Sequence, residues 1–287
     1  MKKIPIRKLS SVQHQVTLPK EFKIRRVEDI LMGNNLVHDL HRHDFFFILA
    51  LSSGKGIHEI DFTEYPLQDQ SIFILRPGQV HRIEFKAICT GFLLEFNNEF
   101  YNPTDKSSKQ RVRRAGCINF CKPARARFDK LHIILTDIFQ EYSEREDGYW
   151  DAIKASLNKF FIEFTRQSNG SGTKSVITNS YSQERFDEFS SLLDRHVATE
   201  KQVSKYADIM NLSLYQLNSI TKSITGKTAS EMINDFIILE AKRYLLATSN
   251  QVKDIAGLLG YEDSSYFIRF FKKHTGYSPE AFRDKSK

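Results

Sequence analysis

YEDSSYFIRFFKKHTGYSPEAFR, residues 261–283, interleaves aromatic side chains with cations and closes its densest part on a Thr-Gly pair. Phe267, Phe270, Phe271 and His274 recur at i, i+3, i+4 and i+7, which places them on one face of a helix, and that face is expected to be buried. Ser265, Tyr266, Arg269, Lys272 and Lys273 then point away from it as hydrogen-bond donors and positive charges. Asp263 or Ser264 can cap the start, and Gly276 stands where a left-handed residue stops the last turn. Such a helix suits the major groove of DNA, but the same pattern describes many amphipathic surface helices.

The residues upstream separate these two readings. Ala256 lies four residues before Gly260, so a first helix is expected to end in a tight turn just ahead of the quoted one. The alanine lets two helices approach closely, and the glycine takes the positive φ that the turn demands. Ala207 precedes Asn211 by the same four residues, and asparagine tolerates the left-handed region better than most. Ser213 to Lys222 follows and runs into Thr225-Gly226, fifty residues ahead of Thr275-Gly276. The helix-turn-helix unit is repeated.

Residues 203–283, with EAKRYLL at 240–246 and IAGLLGY…SYFIRFFKKHTGYSP across 255–279, closely resemble the DNA-binding domain of the AraC/XylS family, over the whole C-terminal third. The resemblance implies two helix-turn-helix units joined by one rigid helix at about 230–247, with each second helix in the major groove of one DNA face, roughly 34 Å apart. The DNA-facing residues it implies are Tyr215, Asn218, Ser219 and Lys222 in the first unit, and Ser265, Tyr266, Arg269 and Lys273 in the second. Arg269 has the planar fork that matches a guanine edge, whereas Lys222 and Lys273 suit phosphate. Many relatives carry a long or charged side chain where this sequence has Ser219.

At 287 residues and 40% hydrophobic content the chain is long enough for two domains with cores of their own. No apolar run approaches a membrane span, and MKKIPIRKLSSVQHQ lacks the hydrophobic stretch of a secretory signal, so a cytoplasmic protein is expected. Cys89, Cys117 and Cys121 are an odd set that suits reduced thiols, and Cys117 with Cys121 lacks nearby partners for a four-ligand metal site. The net charge of +7 is unevenly spread. From residue 181 onward, 15 Lys and Arg face 14 Asp and Glu, so DNA affinity there must come from placed cations rather than from a global field. Much of the excess lies in KSSKQRVRRAGCINFCKPARARFDK, residues 106–130, which reads as a solvated loop or as a supplementary contact for DNA or a phosphorylated effector.

Residues 1–100 are different in character. Stretches at 44–51, 57–62, 71–76, 82–86 and 91–96, rich in Phe, Ile and Leu and separated by Gly, Pro, Ser and Asp, have the spacing of an all-β barrel or sandwich. His41-x-His43 and Pro77-Gly78-Gln-Val-His81 resemble the two motifs of a cupin, the small β-barrel found ahead of the DNA-binding domain in many such regulators. Alternation sends His41, His43, Phe45 and Phe47 to one side, inward. Metal cupins carry a glutamate about where Phe47 stands, and three histidines without it favour effector capture in a Phe-lined pocket over a bound metal. Phe128, Leu131, Leu135, Ile138 and Tyr142, and then Trp150, Ile153, Leu157, Phe160 and Phe164, mark two amphipathic helices. Both can pack on the barrel, or one can form a dimer interface with its aromatic stripe as anchor.

The expected protein is thus of mixed α and β class: a cupin-like β-barrel with following helices for effector sensing and dimerisation over 1–167, a flexible linker over 168–180, and an all-α tandem helix-turn-helix domain over 181–287. It is read as a sequence-specific, effector-responsive transcription activator, homodimeric, with double-stranded DNA and RNA polymerase as partners, and without cofactor or catalytic residues. Two alternatives stay open: a metal-dependent cupin enzyme built on His41, His43 and His81, and an architectural DNA binder.

Overall fold

The computed structural model describes residues 6–7, 21–168 and 180–285, and these fall into two compact units, 6–168 in one and 180–285 in the other. The expected linker falls, from 169 to 179, outside the described residues.

In chain order, the N-terminal unit holds β1 (Ile6–Arg7), β2 (Phe22–Arg26), α1 (Val27–Leu31), β3 (Leu36–His43), β4 (Phe46–Ser53), β5 (Gly56–Ile60), β6 (Thr63–Leu67), β7 (Ser71–Leu75), β8 (Val80–Phe85) and β9 (Thr90–Phe96). α2 (Lys106–Gly116), β10 (Phe120–Cys121), α3 (Arg125–Glu144) and α4 (Tyr149–Ser168) follow. Two five-stranded sheets form, ordered β1-β3-β8-β5-β6 and β10-β7-β4-β9-β2. Strands β4, β7 and β9 read as unbroken apolar runs because the second sheet is covered on both faces. Phe47, Leu49 and Leu51 enter the core between the sheets. Phe46, Ile48 and Ala50 enter a second core shared with the helices.

The five strands expected from the sequence correspond to β4, β5, β7, β8 and β9. β2 and β3, written FKIRR and LVHDLHRH, escape notice because their second face carries charges and histidines. β6 contains Pro66, which an outermost strand tolerates because one of its edges needs no donor.

Two expectations need correction. Residues 106–130 are not a loop: Asp105 caps α2 by accepting from the Ser108 N–H at 2.8 Å, and Ser108, Val112 and Ala115 are buried. The helical stripe is also not an exposed dimer anchor, since Phe128, Leu131, Leu135, Ile138, Ile153, Leu157, Phe160 and Phe164 are all buried in the core under the second sheet. Tyr142 and Trp150 pack at its margin.

The C-terminal unit is all-helical: α5 (Ser180–His196), α6 (Val203–Ile209), α7 (Leu214–Thr225), α8 (Ala229–Ala247), α9 (Val252–Leu258), α10 (Ser264–Thr275) and α11 (Pro279–Lys285). Thr228 and Glu231 form a capping box that starts α8. This helix serves two cores. Ile233 and Ile237 pack with α5, α6 and α7, whereas Ile238, Ala241 and Leu245 pack with α9 and α10. One rod therefore fixes both helix pairs, as the sequence led us to expect.

Candidate nucleic-acid interface and histidine-lined cavity

Each helix pair is closed by the same backbone device. In the first, Leu212 N–H donates to Ala207 O at 2.9 Å and Asn211 takes φ 52°. In the second, Tyr261 N–H donates to Ala256 O at 2.9 Å and Gly260 takes φ 72°. Only glycine fits there, because a Cβ would stand 1.6 Å from Ala198 O. Helices α7 and α10 start on side-chain caps, Ser213 and Asp263, and end on left-handed Gly226 and Gly276.

Leu217 and Thr221 of α7, and Phe267 and Phe271 of α10, fill equivalent buried positions fifty residues apart. The burial expected of His274 does not occur. It is exposed at the end of the helix, its ring 4.6 Å from that of Phe270, because the apolar stripe needs only Phe267 and Phe271 to close the core.

Seven of the eight expected DNA-facing residues are exposed: Tyr215 at 83%, Tyr266 at 57%, and Ser219, Lys222, Ser265, Arg269 and Lys273. Asn218 is half-buried, and its Oδ1 accepts from the Ala229 N–H at 3.0 Å, so its carbonyl end is committed to the start of α8. Lys272, the positional counterpart of Lys222, is exposed beside Lys273. Lys222, Arg269, Lys272 and Lys273 form no ion pair among the described residues. Cations free of carboxylates on helices anchored from behind can meet phosphate and base edges without first breaking a pair.

The N-terminal unit holds a cavity of about 420 Å³ whose lining includes His38, His41, His43, Phe45, Phe47 and His81. His41, His43, Phe45 and Phe47 all line it and are buried, but not through alternation along one strand as expected: the two histidines end β3, Phe45 lies in the bend that follows, and Phe47 lies on β4. His41 faces His81 across β3 and β8. His43 Nε2 lies 2.7 Å from His81 Nε2, and His81 Nδ1 lies 2.8 Å from His58 Nε2, so three imidazoles form a chain. His58 was not singled out from the sequence, although its alternation with the buried Ile60 in GIHEI points it inward. Burial first, and then the neighbouring His41, holds His58 down to about 3. Burial, with His58, His41 and His43 around it, holds His81 well below the ordinary imidazole value. Both rings are neutral at pH 7.

A second polar group faces the same cavity. Lys23 and Arg25 alternate along β2 with Phe22 and Ile24, which belong to the other core. Arg25 pairs with Glu95 at 3.1 Å. Burial and the adjacent Arg25 lower the Lys23 ammonium from its usual range, against the pull of Glu95. The rest of the lining is aliphatic or aromatic, so the cavity suits a small molecule with an apolar body and few polar groups.

Comparison with known proteins gives two family matches: Helix-turn-helix domain over residues 206–285, and AraC-like ligand binding domain over residues 30–143. The HTH-type transcriptional activator RhaS of Enterobacter sp. (strain 638) is 22% identical over 246 residues, covering 85% of this chain and 86% of the relative. The bifunctional transcriptional activator/DNA repair enzyme AdaA of Bacillus subtilis (strain 168) is 36% identical over 95 residues, 33% of this chain and 45% of that protein. Among solved structures, ToxT from Vibrio cholerae O395 aligns over 92% of this chain and 98% of its own, with a TM-score of 0.44 and 15% identity.

Proposed function

The chain belongs to the AraC/XylS family of DNA-binding transcription regulators, and on that premise we propose an effector-responsive activator that works as a homodimer. Residues 1–167 sense and dimerise, residues 181–287 bind DNA, and residues 168–180 tether the two. Tyr215, Ser219, Lys222, Ser265, Tyr266, Arg269 and Lys273 meet DNA from α7 and α10, with Asn218 adding its amide N–H at the joint. Arg269 reads a base edge, and the lysines hold phosphate.

The observation that carries this reading is the repeated turn, Leu212 to Ala207 and Tyr261 to Ala256, on a shared α8, with unpaired cations on the outer helices. Two such helices on one rod match two successive major-groove segments. An effector held among His41, His43, Phe45, Phe47 and His81 shifts the population of dimers able to span a given pair of sites, and RNA polymerase reads the result. The RhaS and AdaA relatives, both named activators, favour activation over repression.

Footprinting of the full chain and of the fragment 181–287 on genomic target DNA tests this reading. It expects protection of paired sites whose spacing preference only the full chain shows. Equal spacing preference and affinity for both, with every candidate small molecule, would refute the sensing half of the proposal. Protection without sequence preference would refute the rest.

A further inference from the structure

The cavity of the N-terminal unit has a charged corner away from its histidine motifs. Strand β2 sends Phe22 and Ile24 into the core shared with the helices, so Lys23 and Arg25 line the cavity, and Glu95 joins them from β9. The strand register fixes this corner on the sheet. Lys23 stands opposite Glu95, and Glu95 in turn stands opposite Phe47 on β4. One row across three strands therefore runs from a cation through an anion to an aromatic wall, which Phe45 and Leu93 extend.

Two donors in this corner lack an acceptor. Arg25 uses Nη2 on Glu95 at 3.1 Å, but its Nε–H is buried and meets no partner. Lys23 forms no hydrogen bond and no ion pair among the described residues. Its ammonium is lowered from the usual range by burial first and then by the adjacent Arg25, an environment that a further negative group would relieve. Folded proteins leave few buried donors unmet, so such a pair beside an apolar wall marks a place for an acceptor. Charge points the same way. Of the Lys, Arg, Asp and Glu residues in the lining, Lys23 and Arg25 stand against Glu95 alone, an excess of one positive charge.

We infer that the cavity takes an organic monocarboxylate with an apolar body, its carboxylate accepting from Lys23 Nζ and Arg25 Nε and its body lying along Phe47 and Phe45. A carboxylate offers one oxygen to each donor, and charge-assisted bonds of this kind are the strong ones. A single negative charge cancels the excess. A phosphate monoester brings a second charge beside Glu95, and an amine meets two cations, so both fit less well. At roughly 30 Å³ for each non-hydrogen atom, the cavity of about 420 Å³ holds about a dozen of them, the size of phenylbutanoate.

Carboxylate binding stands by itself; only its regulatory meaning rests on the sensing function proposed above. Full-length protein is titrated calorimetrically with octanoate, phenylbutanoate and naphthylacetate, each beside its primary amide, the corresponding amine and the corresponding phosphate monoester. At least one carboxylate is expected to bind one per chain and at least tenfold more tightly than its three counterparts. Lys23→Gln is expected to abolish the preference over the amide while leaving amide affinity within about twofold, and Lys23→Arg to keep it. Glu95→Gln, which removes the opposing charge, is expected to strengthen carboxylate binding several-fold. Failure of all three carboxylates to bind, or equal affinity for carboxylate and amide, overturns the inference in the wild-type chain without recourse to any variant. So does a preference that survives Lys23→Gln. Carboxylate binding that leaves DNA affinity and site spacing unchanged supports this chemistry and removes the sensing role from the cavity. DNA site spacing that responds to an amide and not to its carboxylate keeps the sensing role and overturns the chemistry.

Discussion

The helix pairs α6–α7 and α9–α10 share a backbone and differ in what they present. Both turns are closed by the N–H of a residue five positions beyond a buried alanine, and both second helices end on Thr-Gly. The second turn holds one more residue between its left-handed position and the helix cap. On the outer face, Ser219 and Ser223 of α7 stand where α10 carries Arg269 and Lys273, while Lys222 and Lys272 match. Behind it, Thr221 occupies the place of Phe271. A few positions thus set the geometry and others set the chemistry, so one scaffold can hold an anchor rich in cations and a partner that relies on hydroxyls and shape.

The largest test of that comparison is steric. Gly260→Ala places a Cβ against Ala198 O at a positive φ and is expected to cost the C-terminal unit about 3 kcal/mol or more. Gly226→Ala and Gly276→Ala meet open space and are expected to cost about 1 kcal/mol. Denaturant unfolding measures all three, and equal costs would mean that the second turn is not pinned more tightly than the helix ends.

Binding comes next. Arg269→Ala is expected to lose about 1–3 kcal/mol at the cognate site and to relax one base position, while Ser219→Ala changes affinity by only a few tenths. Competition with base-substituted sites measures both, and equal losses would erase the asymmetry between the helices. Asn218→Ala removes the acceptor of the Ala229 N–H and is expected to cost about 1 kcal/mol of stability. Ile268→Ala, at the matching place on α10, has no such bond to lose, so thermal melts should separate the pair. Lys273→Ala is expected to weaken every sequence alike and to lower the salt slope by about one. A base-selective loss there would exchange its role with that of Arg269.

The interface was more legible in the sequence than the cavity. Phe267 and Phe271 at helical spacing, and the alanines four residues before Asn211 and Gly260, are local signals that one stretch of chain carries. Helix α5 was missed although Phe189, Leu192 and Leu193 supply a buried face, because its polar residues dominate the stretch. His58, Lys23 and Arg25 were missed because each lies on a different strand from the motif histidines, and nothing local says that the strands meet. Residues 106–130 misled through composition: cations on α2 hid a buried side that packs on α4 and on the second sheet.

By itself the sequence determined the periodic faces, the turn residues and the inward alternation of His41 and His43, since each depends on spacing within a single helix, turn or strand, and it showed the duplication as a repeat fifty residues apart. Tertiary structure decided that the aromatic stripes of α3 and α4 are spent on the second sheet, that Asn218 turns inward to α8, and that His58 stands behind His81. Those outcomes depend on which surfaces compete for the same apolar partner and which unpaired backbone group lies within reach. Such competition is settled only once distant segments are brought together and water is excluded.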